Sequence, residues 1–292
     1  MAALLFPDVS NTNGVALDAA LAKQEGMCAV SAKASQGIGF VDGLFAANWA
    51  AAKAAGLPTM AYHFLDQTGS GQAQAQHFAG VVQTVCGGLG VPLMLDWEAD
   101  NGQIPAAAVV DDFLAELAVL APHAPVSVYT AAWVAASAGV SVRASRCGLI
   151  WPNYVPGAGN PRQIVAGVTP GWFQPFSGWT AYTARQYTSS AAVANISPCD
   201  VNVCFDQAAF DRLFTVTAPP SPKPRPSPKE KRMPPFLARA IDQATVYLVD
   251  GGHAVPVHDP ADLKVWQAKL AAIGAPTDIV TFSPQQIAAL TA

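Results

Sequence analysis

Asp96 and Glu98 close the segment Leu93-Met-Leu-Asp-Trp-Glu98, an apolar run that ends in two carboxyl groups two residues apart. Alternate side chains of an extended strand share a face, so both acids point the same way at the polar end of a buried strand, with Trp97 turned to the other side. Two close acids disturb each other's titration, and an apolar wall holds one of them protonated near neutral pH. A proton donor beside an anion is the equipment of glycoside hydrolysis. In isolation, a D-x-E pair equally describes a strand end whose acids face solvent or cap the next helix, so the surrounding elements decide.

Those elements alternate. Short apolar runs at 28–33, 58–64, 91–98 and 126–129 are separated by helical patterns at 48–55, 72–85 and 106–120. Strands separated by helices predict a parallel sheet with crossover helices, and at this length the expected architecture is α/β closure into a TIM-like (β/α) barrel. Active sites of such barrels sit at the C-terminal strand ends, where Asp96 and Glu98 lie. Other strand ends carry Asp8 with Ser10, Lys33, Tyr62 with His63, Tyr129, and Tyr154 after Ile150-Trp151. So many polar groups are not buried without purpose, which predicts a cleft lined with acids and rings. Aromatic rings stack on the C–H faces of sugars, and Tyr62, Trp97, Tyr129, Trp151, Tyr154 and Tyr187 are the candidates. His63 reads as a satisfied structural histidine, and Lys33 as a cation paired with one of the acids and tuning them.

Composition removes several classes of function. Hydrophobic residues make up 51% of the 292 and charged residues 12%, which fits a compact globular protein and not a disordered one. A net charge of −4 gives no footprint for nucleic acid. No apolar run reaches the roughly 18–20 residues of a membrane span, so no stable membrane insertion is expected. The stretch from Met1 to Asp8 has no basic start and meets an acid early, unlike a signal peptide. The five cysteines lack metal-ligand spacing and read as buried thiols, although Cys199 and Cys204 are close enough in sequence for a small loop disulfide in an oxidising setting. No metal and no organic cofactor is expected.

The Pro-dense, basic stretch 217–235 predicts an extended spacer between a barrel over 1–216 and a small C-terminal module over 236–292. In that module a strand run from Ala244 reaches Asp250-Gly251, read as a hairpin turn pair, and an amphipathic stretch covers 260–273. A compact module tethered to a hydrolase raises its local concentration at an insoluble polymer, so cell-wall binding is the first expectation, with multimerisation or virion assembly as the competing one.

Five stretches in order resemble the family-25 glycoside hydrolases, lysozymes that cut the sugar backbone of bacterial peptidoglycan. They are Asp8-Val-Ser10 with Gly14, Lys33-Ala-Ser-Gln-Gly37, Ala61-Tyr-His-Phe64, Asp96-Trp-Glu98, and Gln186-Tyr-Thr-Ser189 followed by Asp200-Val-Asn202. The resemblance covers roughly residues 4–214. It implies an irregular barrel with Glu98 as general acid/base. Asp96 would orient the substrate's N-acetyl group as internal nucleophile, and Asp8 and Asp200 would hold the network and the sugar. Tyr62, Trp97, Tyr129, Tyr154, Gln186 and Lys33 would contact substrate. Direct attack by Asp96, or inversion through an activated water, stays open, because sequence gives no carboxyl separation. Thr12 stands where such enzymes often carry an aromatic, Ser35-Gln36 replace a more usual Thr-Glu, and Trp151 is shifted by one position. These departures bear on subsites and leave all four acids in place. The expected partner is bacterial peptidoglycan, cut at the β-1,4 bond between N-acetylmuramic acid and N-acetylglucosamine. The expected setting is a phage lysin held in the host cytoplasm until lysis, or else a virion tail; the rival class is a non-catalytic binding or structural protein on the same barrel. Nothing in the sequence sets an oligomeric state.

Overall fold

The structure, a computed structural model, describes residues 3–139, 141–216, 236–240, 246–250, 253–257, 260–272 and 278–282. The stretch 217–235, expected as a spacer, lies outside them. The chain divides at Pro219 and Pro220 into two compact units.

The first unit is a closed barrel. Its strands are β1 (Leu4–Val9), β2 (Val30–Gln36), β3 (Phe40–Val41), β4 (Thr59–Phe64), β5 (Leu93–Asp96), β6 (Val126–Tyr129), β7 (Gly148–Pro152), β8 (Ala184–Val193) and β9 (Ile196–Cys204). They run in the order β1-β9-β8-β7-β6-β5-β4-β2-β3, and a further β1–β2 pairing closes the ring and leaves β3 outside it. Neighbours from β1 through β2 and from β4 round to β8 are parallel, joined by the crossover helices α1 (Ala19–Gln24), α2 (Phe45–Ala54), α3 (Gly71–Cys86), α4 (Ala107–Leu120), α5 (Ala132–Ala138) and α6 (Pro161–Val165). The irregularity is β9, a hairpin return antiparallel to both β8 and β1, which brings a late acid beside an early one.

Alternation along the strands makes two apolar layers. Phe6, Met60, Met94 and Ile150 fill the barrel interior, and the helix α7 (Gln207–Phe214) closes its lower end, with Phe214 edge-on to Phe6 at 5.0 Å between ring centroids. Outward-facing Leu93, Leu95 and Val128 pack with Phe78 of α3 (Gly71–Cys86) and Phe113 of α4 (Ala107–Leu120). The start of α3 presses on α4 so closely that a Cβ at Gly71 would collide with the Val109 carbonyl. Ser70 caps α3 by accepting from the Ala73 N–H at 3.2 Å, and Gly87 ends it at φ 77°.

The expected strand 91–98 is shorter than read. It ends at Asp96, one hydrogen bond before the Trp97 N–H to Tyr129 O contact at 2.9 Å, so Glu98 stands just past the strand. Cys199 and Cys204 are both free and buried, five residues apart along one strand. An odd spacing puts them on opposite faces, and about 17 Å of extended chain separates them, which overturns the disulfide alternative.

The second unit holds β10 (Phe236–Ala240), β11 (Val246–Asp250), β12 (His253–Val257), α8 (Pro260–Ala272) and β13 (Ile279–Phe282) in a sheet ordered β12-β11-β10-β13. The β11–β12 hairpin pairs Asp250 with His253, so Asp250 is the last ladder residue and not part of the turn; the connecting residues 251–252 lie outside those described. Leu237, Val246 and Leu270 are its buried apolar residues among those described, the thin core that so short a segment allows.

Candidate active site

A cavity of about 240 Å³ opens at the C-terminal ends of the parallel strands. Asp8 comes from the end of β1, Lys33 from β2, Tyr62 and Phe64 from β4, Asp96 from β5 with Glu98 just beyond it, and Tyr129 from β6. Tyr154 follows β7, Gln186 lies in β8 and Asp200 in β9. Every acid expected at the site therefore lines one cavity. So do the expected contacts Tyr62, Tyr129, Tyr154, Gln186 and Lys33.

Strand register sets the acids' neighbours. Asp8 pairs across the β1–β9 seam with Asp200 and across the β1–β2 closure with Ser31. Burial, reinforced by Asp200, pushes the Asp8 carboxyl up to about 8, against a hydrogen bond from the Tyr62 hydroxyl that favours its anion. Glu98 is pushed up to about 7 by burial and then by Asp200, while Lys33 pulls the other way. Burial alone raises Asp200 to about 6. Asp96 is raised by burial, then by Glu98 and Asp8, and its Oδ1 is buried without a hydrogen-bond partner. An unpartnered buried carboxyl oxygen waits for a donor, since leaving it unmade is costly.

Opposite the acids, the hydroxyls of Tyr129 and Tyr154 both donate to Gln186 Oε1, at 2.9 and 2.7 Å. Burial raises both phenols above their ordinary range, so they stay protonated and fixed. Ser10 Oγ and Thr12 Oγ1, 2.6 Å apart, finish the rim.

Residues 7–196, well over half the chain, match the family model of glycosyl hydrolases family 25. The chain belongs to that family. Solved structures agree on the fold. The bacterial lysozyme from Streptomyces coelicolor is 22% identical, with a TM-score of 0.60 over 74% of this chain and 100% of that one. The family GH25 lysozyme from Aspergillus fumigatus is 20% identical, with a TM-score of 0.56 over 74% of this chain and 100% of that one. The CTP1L endolysin is 26% identical, with a TM-score of 0.54 over 72% of this chain and 69% of that one. Among curated proteins no sequence matches significantly. As a family-25 member the chain is a glycoside hydrolase of the lysozyme type.

In this family-25 barrel three expectations need correction. Trp97 does not reach the cavity: it is fully buried among the outer helices, donating Nε1–H to Pro105 O at 2.9 Å. Period-2 alternation requires it, since Asp96 and Glu98 can face inward only if Trp97 faces outward. Trp151 and Tyr187 likewise belong to the outer packing, Tyr187 donating to Pro161 O at 2.9 Å. Among the described residues Lys33 makes no ion pair with an acid, although its charge tunes Asp96 and Glu98 as expected, pulling the pKa of both down. Its Nζ donates to Gln36 Oε1 at 2.8 Å and sits over the Phe64 ring, 4.7 Å from its centroid.

His63 is structural, as read. Gln74 Oε1 accepts from Asp66 N–H, which fixes the amide's orientation; His63 Nε2 therefore donates to that oxygen at 3.2 Å and Nδ1 accepts from Ser35 at 2.9 Å. Burial pushes its pKa down to about 3. Phe64 and Thr12 were missing from the expected contacts. Phe64 was legible, lying two residues beyond Tyr62 on the same strand face.

Proposed function

We propose that the chain is a peptidoglycan N-acetylmuramidase, hydrolysing the β-1,4 bond between N-acetylmuramic acid and N-acetylglucosamine, with Glu98 as general acid/base. The observation that carries this reading is the buried, unpartnered Oδ1 of Asp96 beside Glu98 in the shared cavity. Asp96 and Glu98 titrate as a pair, holding a proton between them near neutral pH. An acetamido N–H arriving at Asp96 Oδ1 favours the Asp96 anion and leaves the proton on Glu98, facing the glycosidic oxygen. Asp96 then holds the acetamido oxygen against the anomeric carbon as internal nucleophile. The leaving sugar departs with the Glu98 proton, and Glu98 next removes a proton from the water that opens the intermediate. Asp8 and Asp200 hold this network and the sugar.

The test is mass spectrometry of soluble fragments, with reducing-end identification, from peptidoglycan treated with wild type and Glu98→Gln. Fragments ending in reducing muramic acid are expected from wild type, falling about 10²–10⁴-fold in the variant. Equal release by both would remove Glu98 from the acid/base role, and no release by either would overturn the assignment in favour of a binding or structural role.

A phage-lysin role draws its support from the likeness to the CTP1L endolysin and to the endolysin ply40 from a Listeria bacteriophage. Residues 236–292 would then tether the barrel to the wall. Antibody detection in purified virions separates a lysin acting from the host cytoplasm from one carried on the tail.

A further inference from the structure

Among the described residues lining the cavity, Lys33 is the sole cation. Its ammonium carries three donors and no acceptor, and one is committed to Gln36 Oε1 at 2.8 Å. That partner is a neutral amide, so the charge is not cancelled where it is tethered. The Phe64 and Phe40 rings, 4.7 and 5.6 Å from Nζ to their centroids, fix the side chain between them without consuming a donor. Two N–H groups remain for a ligand.

Of the two rings beside this cation, Phe40 is itself solvent-exposed and belongs to an apolar surface patch. Strand β3 and the turn before it, outside the barrel ring, lift Ile38, Phe40 and Val41 into solvent, where they are 51%, 42% and 50% exposed. Gly37 turns the chain there at φ 55°, against Asp66 and Thr68, leaving no room for a side chain. A fixed cation with open donors, bordered by the exposed Phe40 ring at the edge of that patch, fits a ligand arm that carries a carboxylate and methyl groups together. The lactyl ether of muramic acid has that chemistry, and so does the short peptide it bears.

We propose that Lys33, tethered by Gln36 and flanked by Phe40 at the edge of that patch, receives the acidic lactyl-peptide arm of muramic acid and selects anionic wall glycan over neutral acetamido glycan. This rests on the peptidoglycan-hydrolase reading above. Recognition is coupled to chemistry as well. Lys33 favours the ionised form of Glu98, and a carboxylate docked on Lys33 cancels that field, so the anionic substrate strengthens the hold of Glu98 on its proton.

The experiment compares the full chain with its Lys33→Gln, Lys33→Arg and Gln36→Glu variants on three substrates: neutral N-acetylglucosamine oligomers, wall glycan stripped of peptide, and peptide-bearing wall glycan. For Lys33→Gln, kcat/KM is expected to fall about 10-fold or more further on anionic than on neutral glycan, mainly through KM. Lys33→Arg should restore the ratio, and Gln36→Glu, which neutralises the ammonium in place, should move it as Lys33→Gln does. Where neutral oligomers turn over too slowly, Kd on the Glu98→Gln background supplies the same ratio. A loss on peptide-stripped glycan identifies the lactyl carboxylate as the anion, and a loss confined to peptide-bearing glycan identifies the peptide carboxylate. Equal losses on all three substrates overturn the proposal while leaving the hydrolase reading intact. No cleavage or binding of any substrate by wild type overturns both.

Discussion

Asp8 and Asp200, 192 positions apart in the chain, are direct cross-strand partners in the antiparallel β1–β9 seam that helps to close the barrel. Each raises the cost of ionising the groups around it: Asp200 pushes up both Asp8 and Glu98. The late hairpin strand therefore does more than complete the ring, because it brings a negative charge to the acid that must keep its proton.

Removing that charge should move the pH profile. With Asp200→Asn, the Glu98 pKa falls below its value of about 7. The alkaline limb of kcat/KM against pH, set by loss of the Glu98 proton, is expected to shift to lower pH by about one unit. An unmoved or alkaline-shifted limb would detach Asp200 from the acid.

The same acids make the fold sensitive to base. Asp8 has a folded pKa of about 8 against an ordinary 3.8, so the stability it contributes is complete below about 3.8 and is lost as pH rises through about 8. Asp200 and Glu98 act in the same sense, through about 6 and about 7. His63 acts in the opposite sense, its contribution being present above 6.5 and lost as pH falls toward about 3. Three acids outweigh one histidine above about pH 4, so melting temperature should be highest near pH 4 and decline as pH rises. Asp8→Asn should flatten the alkaline decline and melt about 2–4 °C above wild type near pH 8, at the expense of activity. Calorimetry across the pH range checks this, and a variant melting below wild type near pH 8 would contradict it.

Trp97 should report on stability and not on sugar binding. Trp97→Ala removes a fully buried indole and its hydrogen bond to Pro105 O, with an expected cost of about 3–5 kcal/mol in denaturant unfolding. Trp97→Phe should cost less and leave KM near the wild-type value. A rise in KM for Trp97→Phe without loss of stability would return Trp97 to the cleft.

Trp97 also marks how far the sequence could be read. Strand alternation makes Asp96 and Glu98 a pair and at the same time excludes Trp97 from their face, so the same pattern that reveals the acids rules Trp97 out as a sugar contact. The four acids were legible because each ends an apolar run or sits in a spaced motif. The pairing of Asp8 with Asp200 was not, since it depends on an antiparallel return of the last strand, and nothing local specifies the partner across a closed barrel. The tuning of Asp96 and Glu98 by Lys33 was legible, but its hydrogen-bond partner was not, for a similar reason. Its partner could be an acid across the cleft or Gln36 three residues away, and only packing on Phe64 chooses between them.

Gln186 is the residue on which two tyrosines depend, and its loss should affect binding more than the acid/base step. Both hydroxyl protons are committed to its Oε1, so Tyr129 and Tyr154 present oxygen lone pairs to a ligand and select donors such as sugar hydroxyls or an acetamido N–H. Gln186→Leu frees both hydroxyls to rotate and removes two hydrogen bonds worth about 0.5–1.5 kcal/mol each. The expected result is a rise in KM of about 5–10-fold, with the pKa values of the pH profile in place, because neither tyrosine loses its proton in the working range. Tyr154→Phe removes one of the two hydroxyls and should give a smaller rise than Gln186→Leu, while the double variant should be no worse than Gln186→Leu alone. Additive effects in that cycle would mean that the tyrosines contact substrate independently of Gln186.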